Sequence, residues 1–140
     1  MKRLKYVSRF AHPITEPEIR ELVEKAAARN AELDLTGILM TTGEMFFQVL
    51  EGPAEQVDEV FRAIRADPRH TDVLLLSLED DVAHRIFPDW SMKRMSLGAE
   101  SSTRLEPVRE ILEAVVDLRF RAEKLANALE RAIWRELSGK

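Results

Sequence analysis

The chain has 140 residues, 45% of them hydrophobic and 33% charged, with a formal net charge of -4 at pH 7. That length suits one domain. Lys and Arg are scattered among Asp and Glu with no block of like charge, which argues against a general nucleic-acid or anionic-membrane binder. No apolar run approaches the roughly 20 residues needed to cross a bilayer. Met1-Lys2-Arg3-Leu4 leads into a strand-like pattern rather than a signal-peptide apolar region. The absence of cysteine removes disulfides, thiol nucleophiles and thiolate metal sites. It also fits the cytoplasmic location expected of the protein.

Residues 2–9 read as a strand with Leu4, Tyr6 and Ser8 on one face. His12-Pro13 breaks it, and Thr15 is placed to cap a helix with Pro17 and Glu18 in its first turn. Ile19, Leu22, Val23 and Ala26 then follow the spacing of one buried helical face, which Asn30 continues. Residues 34–41 and 44–51 read as two strands joined by Thr42-Gly43, and Gly52-Pro53 ends the second. A helix opened by Pro53 carries Val57, Val60, Phe61 and Ile64 on its apolar face and closes at Asp67-Pro68. Asp72 to Leu78 reads as a buried fourth strand, and Phe87 to Met95, with Trp90 and Met92, as a fifth. The order β-α-β-β-α-β-(β) predicts an α+β, ferredoxin-like sheet with two helices on one face. The first two strands and their helix should form a right-handed crossover. Such a fold hosts many functions and decides none.

Gly98 to Thr103 reads as a hinge, dividing a domain at 1–97 from a helical segment at 98–140. Val108, Ile111, Val115, Leu118, Ala122, Leu125 and Leu129 keep a 3-4-3-4 spacing over about three heptads. Leu112, Val116, Ile133 and Leu137 widen that stripe. The pairs Arg109/Glu113, Asp117/Arg121 and Arg119/Glu123 sit at i, i+4 outside it. Such a helix packs either on its own domain or also on a second copy of itself. The amount of apolar surface favours a homodimer.

Three polar residues fall where patterning expects core. Tyr6 is the single tyrosine, Gln48 shares a strand face with Phe46 and Leu50, and Asn30 ends the first helix's apolar face. A buried carboxamide without partners costs on the order of 1–3 kcal/mol. Each one singly is accounted for by bonding to nearby backbone. Jointly they also fit one shared ligand with donors and acceptors on its edge, held between sheet and helices.

The residues resemble the BLUF domains, flavin-binding blue-light sensors. The likeness runs from Arg3-Leu4-Lys5-Tyr6-Val7-Ser8 through Arg29-Asn30, Leu35-Thr36-Gly37 and Phe46-Phe47-Gln48-Val49-Leu50-Glu51-Gly52. It continues through Asp67-Pro68-Arg69-His70 to Arg85-Ile86-Phe87-Pro88-Asp89-Trp90-Ser91-Met92, covering roughly residues 2–97. The opening stretch and Asp34-Leu35-Thr36-Gly37 look most like the sensor domains of light-activated adenylate cyclases. Many members carry Gly-Ile-Thr-Gly there, and some carry Asn where this chain has Arg29. The Arg29 difference puts contacts at the flavin edge in question.

The resemblance implies a flavin cofactor, FAD with FMN or riboflavin as alternatives, and a photoreceptor rather than an enzyme. Tyr6 would be the electron and proton donor, and Gln48 the relay whose hydrogen bonds rearrange by rotation, tautomerisation or both. Asn30, with Arg29 beside it, would hold the carbonyl edge of the ring, and Ser8 would assist the network. Arg69 and His70 would lie near the ribityl-phosphate, with Asp67 either positioning them or capping the helix end. Ile19, Leu22, Val23, Phe46, Phe61 and Ile64 are candidates for the apolar walls. Trp90 and Met92 would sense Gln48 from the fifth strand and couple to the 104–137 helix. Output would pass to an unidentified partner protein or to an effector beyond the sensor. The lack of cysteine excludes photochemistry through a cysteine adduct.

Other chemistries fit less well. An acylphosphatase-like hydrolase needs a glycine-rich anion loop, and Arg9-Phe10-Ala11-His12-Pro13 has no glycine. A flavin-free dimeric interaction module on the same fold would not need Tyr6, Asn30, Gln48 and Met92 together. His12, His70 and His84 form no triad pattern, and His70 with Asp67 and Asp72 lacks a second imidazole for a metal. Neither a Walker loop nor a dinucleotide glycine fingerprint occurs.

Overall fold

The computed structural model describes residues 1–96 and 106–139. Its elements are β1 (Lys2–Phe10), α1 (Glu16–Glu32), β2 (Thr36–Thr41), β3 (Met45–Gly52), α2 (Ala54–Ala66), β4 (His70–Glu79), β5 (Lys93–Ser96) and α3 (Glu106–Ser138). The sheet runs β4-β1-β3-β2-β5. β3 pairs antiparallel with both β1 and β2, β4 pairs antiparallel with β1, and β5 pairs parallel with β2. This is the expected ferredoxin-like α+β order with an added edge strand.

Local chemistry fixes the helix ends. Thr15 caps α1 in a reciprocal capping box: its hydroxyl accepts from the Glu18 amide while the Glu18 carboxylate accepts from the Thr15 amide. At its other end the Asn30 carbonyl accepts from the Leu33 and Leu35 amides, at 3.1 and 2.8 Å, which turns the chain sharply into β2. Pro53 stands at the start of α2, and the amide of Asp67 closes it on Ile64. Val57, Val60, Phe61 and Ile64 of α2 are buried against Leu4, Tyr6, Phe46 and Leu50 of the sheet. Leu22, Val23 and Ala26 of α1 pack on the same cluster. Both helices therefore cover one face, as the pattern predicts.

Gly37 is fixed by close approach. A Cβ there would stand 1.9 Å from the Val49 carbonyl oxygen of the neighbouring strand. Only glycine lets β2 and β3 meet at this point.

Three expectations need correcting. The fourth strand, expected to be buried, lies at an edge of the sheet with Leu76 and Leu78 exposed. The fifth strand begins at Lys93, not Phe87. The amides of Ile86 and Phe87 donate to the Glu51 carboxylate rather than to a ladder, and Pro88 has no amide to give. Trp90 and Met92 thus precede β5. Asp117, expected to pair with Arg121, instead receives the Arg9 guanidinium from β1 at 2.5 Å.

α3 lies against β1 and β4. Arg9, one residue from Ser8, points to the sheet face opposite Tyr6 and Ser8, so α3 sits opposite α1 and α2. Ile111, Leu118, Leu125 and Leu129 of its stripe are exposed, as are Ile133, Trp134 and Leu137. The expected hinge at Gly98–Thr103 and the domain boundary at 97/98 lie outside the described residues. Among the described residues no helix is long and apolar enough to cross a membrane.

Candidate functional site

A cavity of about 320 Å³ opens between α1, α2 and the sheet. Its lining comprises Tyr6, Leu22, Lys25, Ala26, Arg29, Leu39, Phe46, Gln48, Ile64, Asp67, Arg69 and His70. Tyr6 and Gln48 form its polar floor. They are cross-strand partners on β1 and β3, and Leu39 of β2 is the partner of Gln48 on the other side. Because β3 is flanked on both sides, Gln48 is held in the middle of the sheet, 4% exposed.

The Tyr6 hydroxyl donates to Gln48 Oε1. The Gln48 Nε2 group in turn points at the Met92 sulfur, 3.8 Å away. Burial pushes the Tyr6 phenol far above its ordinary pKa, with the Asp67 charge adding to this and Arg29 opposing it. The phenol is therefore fully protonated and its single proton is committed to Gln48. The Tyr6 ring tilts against Phe61 at 5.5 Å between centroids and meets His70 edge-on at 6.2 Å.

The His70 and Phe46 rings meet tilted, 4.6 Å between centroids, and His70 Nδ1 shares a hydrogen bond of 2.7 Å with the buried Ser8 hydroxyl. Burial holds His70 down at about 4, with Arg69 reinforcing and Asp67 opposing, so the ring is neutral at pH 7. The Arg69 guanidinium clasps Asp67 through Nε and Nη2, at 2.5 to 3.1 Å, and this bond keeps Asp67 well below the usual carboxylate range. Arg69 is thereby fixed at the rim. Asp67 also accepts from the Arg69 amide at 2.9 Å, so it both ends α2 and positions the cation. Lys25 and Arg29 of α1 add two more cations to the lining. Burial lowers the Arg29 pKa, but a guanidinium remains charged in this range.

The sequence-predicted residues divide into two groups. Tyr6, Leu22, Arg29, Phe46, Gln48, Ile64, Asp67, Arg69 and His70 come together around the cavity. Ser8, Ile19, Val23, Asn30, Phe61, Trp90 and Met92 lie outside its lining. Ser8 and Phe61 back the floor through His70 and Tyr6. Asn30 is fully buried and donates from Nδ2 to the Ser91 carbonyl at 2.8 Å, while Arg29 reaches its Oδ1 at 3.3 to 3.4 Å. Trp90 is 41% exposed, with the Lys93 ammonium 4.6 Å above its ring. Met92, 8% exposed, is the member of the pair that meets Gln48.

Sequence reasoning missed Lys25, Ala26 and Leu39 as lining. The two-residue period would have found Leu39 once β2 was registered against Gln48. It also missed Glu51 as a structural hub. Glu51 is 1% exposed and accepts from Arg3 Nε at 2.6 Å and from the Ile86 and Phe87 amides at 2.8 and 2.9 Å. Burial alone would raise its pKa, but these three donors together lower it. A lone carboxylate opposite Arg3, on the strand face otherwise made of Met45, Phe47 and Val49, was the available signal. Among the described residues no cluster of three metal-ligating side chains occurs.

The chain as a whole is similar to known proteins. A family model described as "BLUF: Sensors of blue-light using FAD" fits residues 1–93. The blue light- and temperature-regulated antirepressor BluF of Escherichia coli is 42% identical over 100 residues, which is 71% of this chain and 23% of that protein. A bacterial light-regulated adenylyl cyclase superposes with a TM-score of 0.77 at 34% identity, over 89% of this chain and 36% of its own. BlrB, a BLUF protein in its dark state, superposes with a TM-score of 0.63 at 34% identity over 94% of this chain and 93% of its own. The chain spans only 12% to 23% of the first curated relatives it matches. Fold, matched residues and identity agree: the chain belongs to the BLUF family, the sensors of blue light that use FAD.

Proposed function

We propose that this chain senses blue light with a flavin held in the cavity between α1, α2 and the sheet, and that the Tyr6–Gln48 pair is its photoactive element. The observation that supports this most is the buried Tyr6 hydroxyl donating to a glutamine that itself faces Met92, at the floor of a cavity. The residues fit the group. The volume falls within the roughly 300–1,000 Å³ typical of ligand sites. Leu22, Ala26, Leu39, Phe46 and Ile64 supply apolar walls for a ring system, and Lys25 and Arg69 supply cations suited to a phosphate.

In this reading Tyr6 and Gln48 address the polar edge of the ring, Arg29 and Asn30 lie beside its carbonyl edge, and Arg69, His70 and Lys25 serve the ribityl-phosphate side. When bound, a flavin excited by blue light supplies a one-electron oxidant. Tyr6 is the donor: as its electron leaves, its phenolic proton passes to Gln48 Oε1 along the existing hydrogen bond. Gln48 would in exchange pass a proton from Nε2 to the ring edge that has taken the electron, so that charge balances at both ends. If the side chain rotates, tautomerises or both before the electron and proton go back from the ring edge to Tyr6, the carboxamide would be left with its donor and acceptor ends exchanged, because glutamine can present either to the same partner. His70 stays neutral and takes no part in the proton transfer. Its bond with Ser8 holds the wall beside Tyr6.

Met92 reads the exchange, since a carbonyl oxygen facing its sulfur replaces an amide donor. From Met92 the change enters β5, which pairs with β2, and passes on to α3 and an effector. The relatives include a photoactivated adenylate cyclase and an antirepressor, so the effector is either a linked domain or a separate partner. The exposed stripe Ile111, Leu118, Leu125 and Leu129 supports a homodimer through α3. The test is reconstitution with FAD and illumination. The parent chain should give a small red shift that relaxes in the dark, and Tyr6→Phe should bind FAD yet show no shift. A Tyr6→Phe protein that still shifts would refute the assignment.

A further inference from the structure

The segment between β4 and β5 leaves one edge of the sheet and returns at the other. On the way it is held at two places. Glu51 lies three residues after Gln48 on β3, so by the two-residue period its side chain points to the face opposite Gln48. There its carboxylate accepts the Ile86 and Phe87 amides together with Arg3 Nε. Arg3 also donates through Nη2 to the His84 carbonyl at 2.7 Å. Arg85 reaches back to the strand it must pass, donating to Thr36 Oγ1 and the Asp34 carbonyl, both at 2.9 Å. The second hold is at the far edge, where the Trp90 carbonyl accepts from the Gly37 amide at 2.9 Å and the Ser91 carbonyl from Asn30.

Five peptide steps separate Phe87 from Met92, a reach of at most about 18 Å. A chain tied at 84–87 and again at 90–91 has little freedom in where it delivers residue 92. Charge-assisted bonds to a buried carboxylate are the strongest of these ties, and a carboxylate so enclosed is retained only because its donors are in place.

We infer that Glu51 is a positioning residue for the light response: with Arg85 it seats residues 84–87 on the back of the sheet, and through that seat it sets where Met92 meets Gln48 on the front. The inference rests on the role proposed above for Gln48 and Met92. Glu51 touches neither the cavity nor Gln48's side chain, and it acts through the four residues between Phe87 and Met92.

The test compares Glu51→Gln, Arg85→Ala and, as a control, Asp58→Asn in the full FAD-loaded chain. Glutamine keeps the shape of Glu51 but turns an NH2 toward a backbone amide. Asp58→Asn loosens the contact of α2 with Lys2 of β1 and leaves the two holds at 84–87 and 90–91 untouched, although Lys2 also pairs with Asp80 at the start of the segment. The first readout is hydrogen exchange in the dark at Gly37, whose amide reports the far hold. The positioning role predicts that Glu51→Gln speeds Gly37 exchange roughly tenfold or more, together with Ile86 and Phe87. Exchange that rises only at Ile86 and Phe87, or that rises equally in Asp58→Asn, overturns it. The second readout is recovery of the light-induced shift, expected to be roughly tenfold faster in Glu51→Gln because the packing that locks the Gln48 carboxamide is loosened. Recovery within about twofold of the parent, or slower, overturns it. Arg85→Ala leaves no buried charge unpaired; should Glu51→Gln not fold, it decides by the same readouts. A parent chain with no light response would refute the proposed function instead, and the dark exchange would still decide the seat.

Discussion

The sulfur of Met92 lies 3.8 Å from Nε2 of Gln48, although 44 residues separate them in the chain. A thioether is a weak acceptor and an apolar body at once, so it tolerates either end of a carboxamide while preferring the NH2. Tyr6 reads the same glutamine from its other end. One side chain on the central strand thus has a proton donor on one side and a mechanical neighbour on the other.

Replacing Met92 with Leu keeps the volume and removes the acceptor. The protein should lose less than about 1.5 kcal/mol of stability and still form the red-shifted state, because Tyr6 and Gln48 remain. Its dark recovery should change several-fold, measured as the decay of the light-minus-dark absorption. An unchanged recovery would show that Met92 does not read the glutamine.

The neutral His70 makes stability depend on pH. Its pKa is about 4 in the fold and near 6.5 unfolded. Between those values the unfolded chain binds more protons, so stability rises with pH through this window and is lost as pH falls from 6.5 to 4. The loss is on the order of 3 kcal/mol at the acid end. Urea titrations from pH 7 to pH 4 should show it, and His70→Gln should flatten it. Asp67 and Glu51, whose pKa values are lowered, contribute stability that is present above their unfolded values and is lost as pH falls through the acid end of this window and below it.

Gly37→Ala should be severe. The added methyl would meet the Val49 carbonyl, which is backbone and cannot swing aside. A loss of about 3 kcal/mol or more is expected, together with weakened pairing of β2 to β3, seen as a lowered Tm. A Tm within about 2 °C of the parent would contradict the tight strand approach.

The exposed stripe of α3 should hold two chains together. Leu118→Glu with Leu125→Glu places charges at two of its positions, 69% and 62% exposed in the single chain. Sedimentation should give a dimer for the parent and a monomer for the double variant, with FAD retained in both. A monomeric parent would end this reading of α3.

Element type was largely legible in the sequence because the periodic segments are long. α1 and α2 followed their apolar spacing and their proline and threonine signals closely. Besides β4, which its apolar run made look buried although it sits at the sheet edge, two departures were non-local. Nothing near Ile86 and Phe87 shows that their amides belong to Glu51, 35 residues away for Ile86, so an alternating apolar segment read as a strand. Likewise Asp117 met Arg9, 108 residues distant, before any i, i+4 neighbour could be inferred. At the site, Tyr6 and Gln48 stood out because they are polar on core faces. Asn30 stood out for the same reason, yet its amide holds the Ser91 carbonyl, a tertiary bond that no helical period reveals.

The most direct measurement is the absorption spectrum of the FAD-loaded chain in the dark and after blue light. A flavin spectrum that moves slightly to the red and returns in the dark is the predicted result. A chain that binds no flavin, or whose bound flavin shows no reversible shift, would contradict the account.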